Sequence, residues 1–504
     1  MVKKVSTPSL LLFSVLVVAT CGLVYELIAG TLASYLLGDS VTQFSIIIGV
    51  YLFSMGIGSW LSKYFTRNLL SWFIQIEILV GLIGGFSSSA LFILFEFAGS
   101  FQLLLYGLVM LTGILVGLEI PLIMRILKDE FDFTDLVSKV FTFDYIGALL
   151  ASLVFPLVLV PYLGLVKTSF LFGILNVSVA IALCIKLSYM GQWFSVLRRI
   201  GFASLLILLL GFVMSERIVA FSESISYAEP IIFAKSSPYQ RIILTRNKKE
   251  LRLYLNGNLQ FSSADEYRYH EALVHPIMQQ VKNSCKVLIL GGGDGLALRE
   301  ILRYKNVSEV HLVDLDAAVT KLFSTNSLLL NLNHHALLHP KVHLYNQDAF
   351  QWLRSNTQLF DVIVIDFPDP SNYSVGKLYT QSFYKLLKKS MHEESKVVVQ
   401  STSPLVAPKS FWCVNETMQS VGLKTLPYHA FVPSFGEWGF ILAAYGQPNF
   451  STDSLSLPMR FLTQETLKTM TQFPGDMKQE ITEVNKLNNQ ILVHYFEKEW
   501  AIYQ

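Results

Sequence analysis

The chain changes character near residue 215. Before it, apolar positions run in long unbroken stretches; after it, they alternate with polar positions at short periods. About 20 apolar residues in helical form cross ~30 Å of hydrocarbon. Runs of that kind lie near 9–29, 41–61, 72–95, 101–124, 141–163 and 165–186, and a shorter run over 200–215 is a candidate seventh. The first does not read as a cleaved leader, because many apolar runs follow it without a small-residue cleavage pattern. Residues 1–215 are expected to form a polytopic α-helical membrane domain of six or seven spans.

From Ser237 the period is that of strands. Tyr239–Leu244, Leu251–Leu255 and Leu259–Phe261 alternate in polarity, and Asn256-Gly257-Asn258 supplies a turn between the last two. Residues 216–262 are therefore read as a linker and a small β-meander. A helix should follow, with Asp265 near its start and Tyr269, His270, Leu273 and Val274 along it. Strand-like runs at Lys286–Leu290, Glu309–Asp314, Lys341–Tyr345, Asp361–Asp366 and Lys396–Gln400 then alternate with helical stretches such as Leu296–Tyr304 and Phe383–Lys389. That alternation predicts a doubly wound α/β sheet, Rossmann-like and of the methyltransferase type, over 263–450. Trp438–Ala444 is expected to add an antiparallel edge strand, and 451–504 a polar, mostly helical extension.

Charge follows the same division. Residues 1–215 hold 11 Lys/Arg and 10 Asp/Glu, against 28 and 27 in residues 216–504. No basic stripe suggests nucleic acid. Cys21, Cys184, Cys285 and Cys413 lack the spacing of a metal site or a disulfide framework, which suits a reducing compartment. Lys3/Lys4, Lys63/Arg67, Arg125/Lys128/Lys139 and Lys186/Arg198/Arg199 alternate with poorly basic loops, which puts the N-terminus in the cytoplasm by the positive-inside rule. With six spans the soluble half is then cytoplasmic; a seventh would export it, unless the N-terminus lies outside. A need for a cytosolic metabolite favours the cytoplasm of a cell with an inner membrane.

Four acids fall inside spans: Glu26, Glu77, Glu119 and Asp144. Ionisable groups in lipid are costly. They are consistent with a polar cavity for a cationic amine, or with a structural role as protonated acids, inter-helix hydrogen bonds or a pair with Arg125.

Ligands of such sheets bind beyond the carboxyl ends of the strands. There stand the glycine loop Gly291, Gly292, Gly293 and Gly295, then Asp314, placed 23 residues after Gly291 to meet ribose hydroxyls, and Asp348-Ala349, placed to meet an adenine edge. Asp294 inside the loop disfavours a pyrophosphate and favours an ammonium, although it also suits a helix cap. Asp366 and Asp369 at the end of the fourth strand could hold a polyammonium substrate, and one could accept a proton from it.

Taken together, Tyr239-Gln240, Asn256–Gln260, Asp265-Glu266 through Tyr269-His270-Glu271, Gly291–Gly295, Val313–Asp316, Asp348-Ala349 and Asp366–Pro370 resemble the polyamine aminopropyltransferase (spermidine synthase) family over about 210 residues. Tyr25-Glu26 and Gly117–Pro121 are similar to its membrane-fused bacterial members. The resemblance implies transfer of the aminopropyl group of decarboxylated S-adenosylmethionine, a co-substrate, to a polyamine, with no prosthetic group and no metal. It assigns Gln240, Asp314, Asp348 and Ala349 to the nucleoside, and His270 and Asp294 to the aminopropyl amine. Asp366 becomes the proton acceptor, with Asp369 and Tyr269 orienting the acceptor amine. Membrane lipid and a second copy of the chain are the other expected partners.

The acceptor side departs from the family. Phe431–Trp438 lacks a tyrosine that soluble members use, and Ser371-Asn372-Tyr373-Ser374 replaces a Gly-Pro stretch. Tyr373 or Glu437 are candidate substitutes, and putrescine is the default acceptor. A methyltransferase would share the sheet and glycine loop, but Asp294, the Asp366/Asp369 pair and the meander speak against it. A transporter or sensor with a binding-only soluble domain would not need Asp366.

Overall fold

The computed structural model describes residues 7–37, 40–95, 101–186, 192–450, 455 and 457–502. Lys3 and Lys4 lie outside them. The chain divides into two compact units, Met1–Pro230 and Ile231–Gln504.

The first unit contains α1 (Thr7–Leu37), α2 (Ser40–Leu61), α3 (Leu69–Phe95), α4 (Phe101–Leu127), α5 (Phe133–Val154), α6 (Val160–Lys186) and α7 (Gln192–Ser226). Among the described residues six helical runs are long and apolar enough to cross a membrane, one of them the 54-residue stretch Phe133–Lys186. Such a run would be about 81 Å long at 1.5 Å per residue. It is broken at Gly164, whose φ of 72° and ψ of 176° are not helical.

Side-chain packing shows that the direction reverses there. Leu11, Leu127, Leu136, Cys184 and Leu197 share one cluster. Ala33, Leu91, Phe101 and Leu159 share another, and Val166 and Leu208 pack in a third with Phe92 and Val219 beside them. α5 therefore runs away from the end that holds Leu11, α6 returns to it, and α7 leaves again. The bundle is traversed seven times. The short apolar run 200–215 is the middle of the 35-residue α7, which polar ends had disguised.

The second unit opens with a four-stranded antiparallel sheet in the order β1-β2-β3-β4: β1 (Ile231–Ser236), β2 (Arg241–Asn247), β3 (Glu250–Leu255) and β4 (Asn258–Ser262). β1 corrects the sequence reading, which left those residues in a linker. After α8 (Glu266–Met278) come β5 (Cys285–Gly291), β6 (Val307–Asp314), β7 (Val342–Asn346), β8 (Phe360–Asp366), β9 (Met391–Gln400), β10 (Lys424–Val432) and β11 (Gly436–Ala444). Their order is β10-β11-β9-β8-β5-β6-β7. β5 to β9 are parallel, and β11 pairs antiparallel with both β9 and β10.

The strand containing Trp438–Ala444 is thus antiparallel but internal; β10 is the edge. Residues after 450 hold only two short α-helices among the described residues, Gln464–Thr469 and Ile491–Trp500, separated by a 3₁₀ turn and irregular chain. The expected helical extension is mostly irregular. Chain order reverses between β5 and β8, which makes the crevice beyond their carboxyl ends the place for a ligand.

Candidate active site

Gly291 pairs with Asp366 across that reversal. Gly291 has φ +86°, and a Cβ there would stand 2.1 Å from the Asp366 carbonyl oxygen. The backbones of β5 and β8 touch because this residue has no side chain. A Cβ on Gly293 would lie 2.6 Å from the Asp314 carboxylate, and Gly292 and Gly295 also take positive φ. Asp314 accepts the Gly293 N–H at 3.0 Å and the Asp316 N–H at 2.9 Å. It props the loop open and remains half-buried at the crevice.

α8 lays two side chains over the loop. Tyr269 Oη donates to Asp366 Oδ1 at 2.5 Å, and its ring packs against Phe440 and Phe435. His270 Nδ1 lies 2.8 Å from both the carbonyl and the Oε2 of Glu266, so only Nε2 remains to meet a ligand. Arg299 grips Glu266 with two contacts of 3.0 Å. The histidine is thereby anchored in a buried ion network that the sequence reading did not include.

Asp294 accepts the Leu296 N–H at 2.9 Å, so it caps the short helix Leu296–Ile301 and also faces the cluster. Asp369 accepts from Thr402 Oγ1 at 3.3 Å, and its Oδ1 has no hydrogen-bond partner among the described residues. Thr402 is itself a positive-φ residue (55°), buried at 1 % exposure. A strained β-branched residue beside an orphaned carboxyl marks an over-determined site. No sequence pattern announces it.

Burial pushes Asp294 and Asp314 up to about 6 and Asp369 up to about 7, and it also raises Asp366. His270 and the Tyr269 hydroxyl act against the rise at Asp366. The His270 pKa is itself raised by Glu266, against the opposing effect of burial. Four carboxylates thus converge with one histidine, while Arg299 is spent on Glu266 and Glu300. The site is short of positive charge.

That shortage has a thermodynamic sign. The folded chain retains protons on Asp294, Asp314 and Asp369 that the unfolded chain releases near pH 4. Their contribution to stability therefore falls as pH rises from about 4 to about 7. Asp369→Asn should melt at a temperature that gains on the wild type across that window, measured by thermal scans of the ligand-free protein. A gain in the opposite direction would contradict the burial argument.

The other expected residues are placed less simply. Gln240 Nε2 donates to Asp316 Oδ2 at 2.9 Å, alongside Ser237 Oγ at 2.6 Å. Asp316, read only as part of a motif, thus links the meander to the end of β6. Asp348 caps the helix Ala349–Ser355 through the Gln351 N–H and accepts from Lys377 Nζ at 2.7 Å. Lys377 holds its carboxyl below the ordinary value despite burial, and Ala349 is buried.

Glu437 does not stand in for the missing tyrosine. It is tied to His429 Nδ1 at 2.5 Å, and its neighbour Trp438 points to the other face, donating to Gln400 Oε1 at 3.2 Å. Tyr373 is largely exposed. Phe435, packed against Trp438 and Tyr269, gives that wall an aromatic surface.

A glycine loop and a carboxylate-rich crevice at the reversal of a parallel sheet define a transferase that handles a cationic substrate. Residues 266–454 match the spermine/spermidine synthase domain. Polyamine aminopropyltransferases of Leptospira interrogans and Oceanobacillus iheyensis are 53% and 40% identical to this chain, covering 97% and 99% of it and 98% and 99% of their own lengths. That of Mycobacterium tuberculosis is 36% identical over 98% of this chain and 96% of its own. The solved spermidine synthase of Thermotoga maritima aligns with 54% of the chain and 88% of its own, at TM-score 0.44 and 22% identity. The chain belongs to the polyamine aminopropyltransferase family and is an aminopropyltransferase.

Proposed function

We propose that the catalytic unit transfers the aminopropyl group of decarboxylated S-adenosylmethionine to putrescine, giving spermidine and methylthioadenosine. The observation that carries this reading is the short bond from Tyr269 to Asp366 inside a ring of carboxylates that lacks compensating cations. The hydroxyl holds one oxygen of Asp366 and leaves the other for the acceptor nitrogen. An ammonium has no lone pair, so that nitrogen must first give a proton to Asp366. Its lone pair then forms the new N–C bond at the aminopropyl carbon. The C–S bond breaks, its electrons pass to sulfur, and neutral methylthioadenosine leaves. No metal takes part in this displacement.

Asp294, with His270 Nε2 near it, receives the donor's ammonium, while Asp314, Asp348, Ala349 and the Gln240–Asp316 pair surround the nucleoside. Asp369 and the aromatic wall of Phe435 and Trp438 hold the distal ammonium and the methylene chain of the acceptor. Fixing nucleophile and leaving group in line supplies much of the rate. Purified protein given decarboxylated or ordinary S-adenosylmethionine with a panel of amines tests the reading. Product is expected only with the decarboxylated donor and fastest with putrescine. Methyl transfer, or a better acceptor, would overturn the donor or the acceptor half respectively. Asp369→Asn should raise the acceptor KM at least tenfold with a smaller change in donor KM.

The long apolar helices support a membrane location, which we read as a bacterial inner membrane, and sizing of the detergent-solubilised protein tests the expected homo-oligomer. Seven traversals put residue 226 on the face opposite the N-terminus. All but Lys167 of the basic residues in 1–215 belong to the N-terminal face by chain order. The loop charges therefore favour an exported catalytic unit, whereas its charged donor is a cytosolic metabolite. A catalytic unit cut off from its donor would be idle, so we place it in the cytoplasm with the N-terminus outside. Reporter fusions after residue 230 should fluoresce as cytoplasmic; activity of an exported phosphatase fused there would reverse the orientation.

A further inference from the structure

Between α1, α2, α4 and α5 lies a cavity of about 190 Å3. Glu26, Glu119 and Asp144 reach it from α1, α4 and α5, and among the described residues no lysine, arginine or histidine lines it. Glu77 of α3 stands beside Glu119. Glu77 is fully buried and Glu119 is 2 % exposed. None of their four carboxyl oxygens has a hydrogen-bond partner among the described residues.

A pair with Arg125 was one of the structural roles that the sequence left open for these acids. Its guanidinium instead donates to the carbonyls of Ser62 and Phe65 at 2.9 and 2.7 Å, closing the turn between α2 and α3. A narrower cleft shares Glu26 and Tyr51 with the cavity and continues past Ser87 and Thr112.

Burying charge in hydrocarbon without a partner is costly. Glu26 and Asp144 add two further carboxyls to the same cavity. A metal ion asks for converging oxygens, whereas among the described residues no three of these carboxyls cluster closely enough to share an ion, and Val18, Leu52, Met55 and Val116 line the same cavity. Ammonium groups spaced along a slender alkyl chain satisfy both the acids and the apolar walls. We propose that the membrane unit holds a second polyammonium site in this cavity, distinct from the crevice of the catalytic unit. The choice of polyamine as the cation rests on the aminopropyltransferase reading.

Equilibrium dialysis of the full chain in nanodiscs, with labelled spermidine and no donor, tests this. The wild type should bind two equivalents. Glu77→Gln/Glu119→Gln should lose one, or weaken it at least tenfold, while retaining aminopropyl transfer. Asp366→Asn/Asp369→Asn should lose the other. Unchanged stoichiometry in the membrane variant overturns the proposal and leaves the catalytic reading untouched.

A second arm needs no variant. A hydrophobic carbodiimide should label Glu77 or Glu119, located by peptide mass spectrometry, and spermidine should suppress that labelling. Protection by sodium ion with none by spermidine would assign the cavity to an inorganic cation and refute the proposal.

Discussion

Asp366→Asn should lower kcat by about 10²–10⁴, the range over which a positioned base contributes, while the donor KM changes little. The argument is geometric before it is electrostatic. An asparagine side-chain oxygen still accepts from Tyr269, whose hydroxyl sits 2.5 Å away, so the acceptor pocket keeps its shape. What disappears is the carboxylate proposed to take the proton from the incoming ammonium. Because burial raises the Asp366 pKa, keeping it ionised above neutral pH is a cost to the fold. The asparagine variant should therefore melt no lower than the wild type at pH 8. Single-turnover rates and thermal scans on one preparation separate the two effects. A kcat within threefold of wild type would remove Asp366 from its role, and an inactive variant that has also lost stability would show disrupted folding instead.

Gly291→Ala should be the most damaging single methyl group in the catalytic unit. The added Cβ meets a main-chain oxygen at 2.1 Å in the middle of a parallel pair, where no side chain can swing away. It also forces a non-glycine residue to φ +86°. Overpacking and a left-handed backbone each cost about 1–3 kcal/mol, so roughly 2–6 kcal/mol of destabilisation is expected together with loss of activity. Denaturant unfolding followed by tryptophan fluorescence checks it. Gly446→Ala is the control, since nothing lies within 4 Å of its added Cβ.

Much of this was legible in the chain, for physical reasons that differ by region. Membrane runs announce themselves by length, and the gap between 163 and 165 fell on the residue that breaks the helix, Gly164. α7 was harder, because Arg198, Arg199, Glu216 and Arg217 flank its apolar middle and hydropathy registers only the centre. β10 escaped because Pro427 interrupts its pattern. The structure uses that proline where it is tolerated, on an edge strand. β1 escaped because it follows Pro230 directly and its apolar residues, Ile231–Ala234, run together without the alternation of a strand.

In the catalytic unit, the residue types at strand ends could be read, but their partners could not. Asp316 collects Gln240 from 76 positions away and Lys377 reaches Asp348 across 29. Such pairs depend on the assembled sheet, and no local period encodes them. Asp294 shows the complementary limit, since the cap and the amine ligand were posed as alternatives and one carboxylate can serve both.

The buried grip of Arg299 on Glu266 has a consequence for ionic strength. Salt screens charges that solvent reaches far more than those enclosed by protein. The pair that anchors His270 should be indifferent to added potassium chloride, whereas the half-open carboxylates proposed to meet the acceptor should not. Raising salt should weaken the enzyme's hold on its amine long before it loosens the frame that carries the histidine, so an inhibited enzyme in brine would still be a folded one.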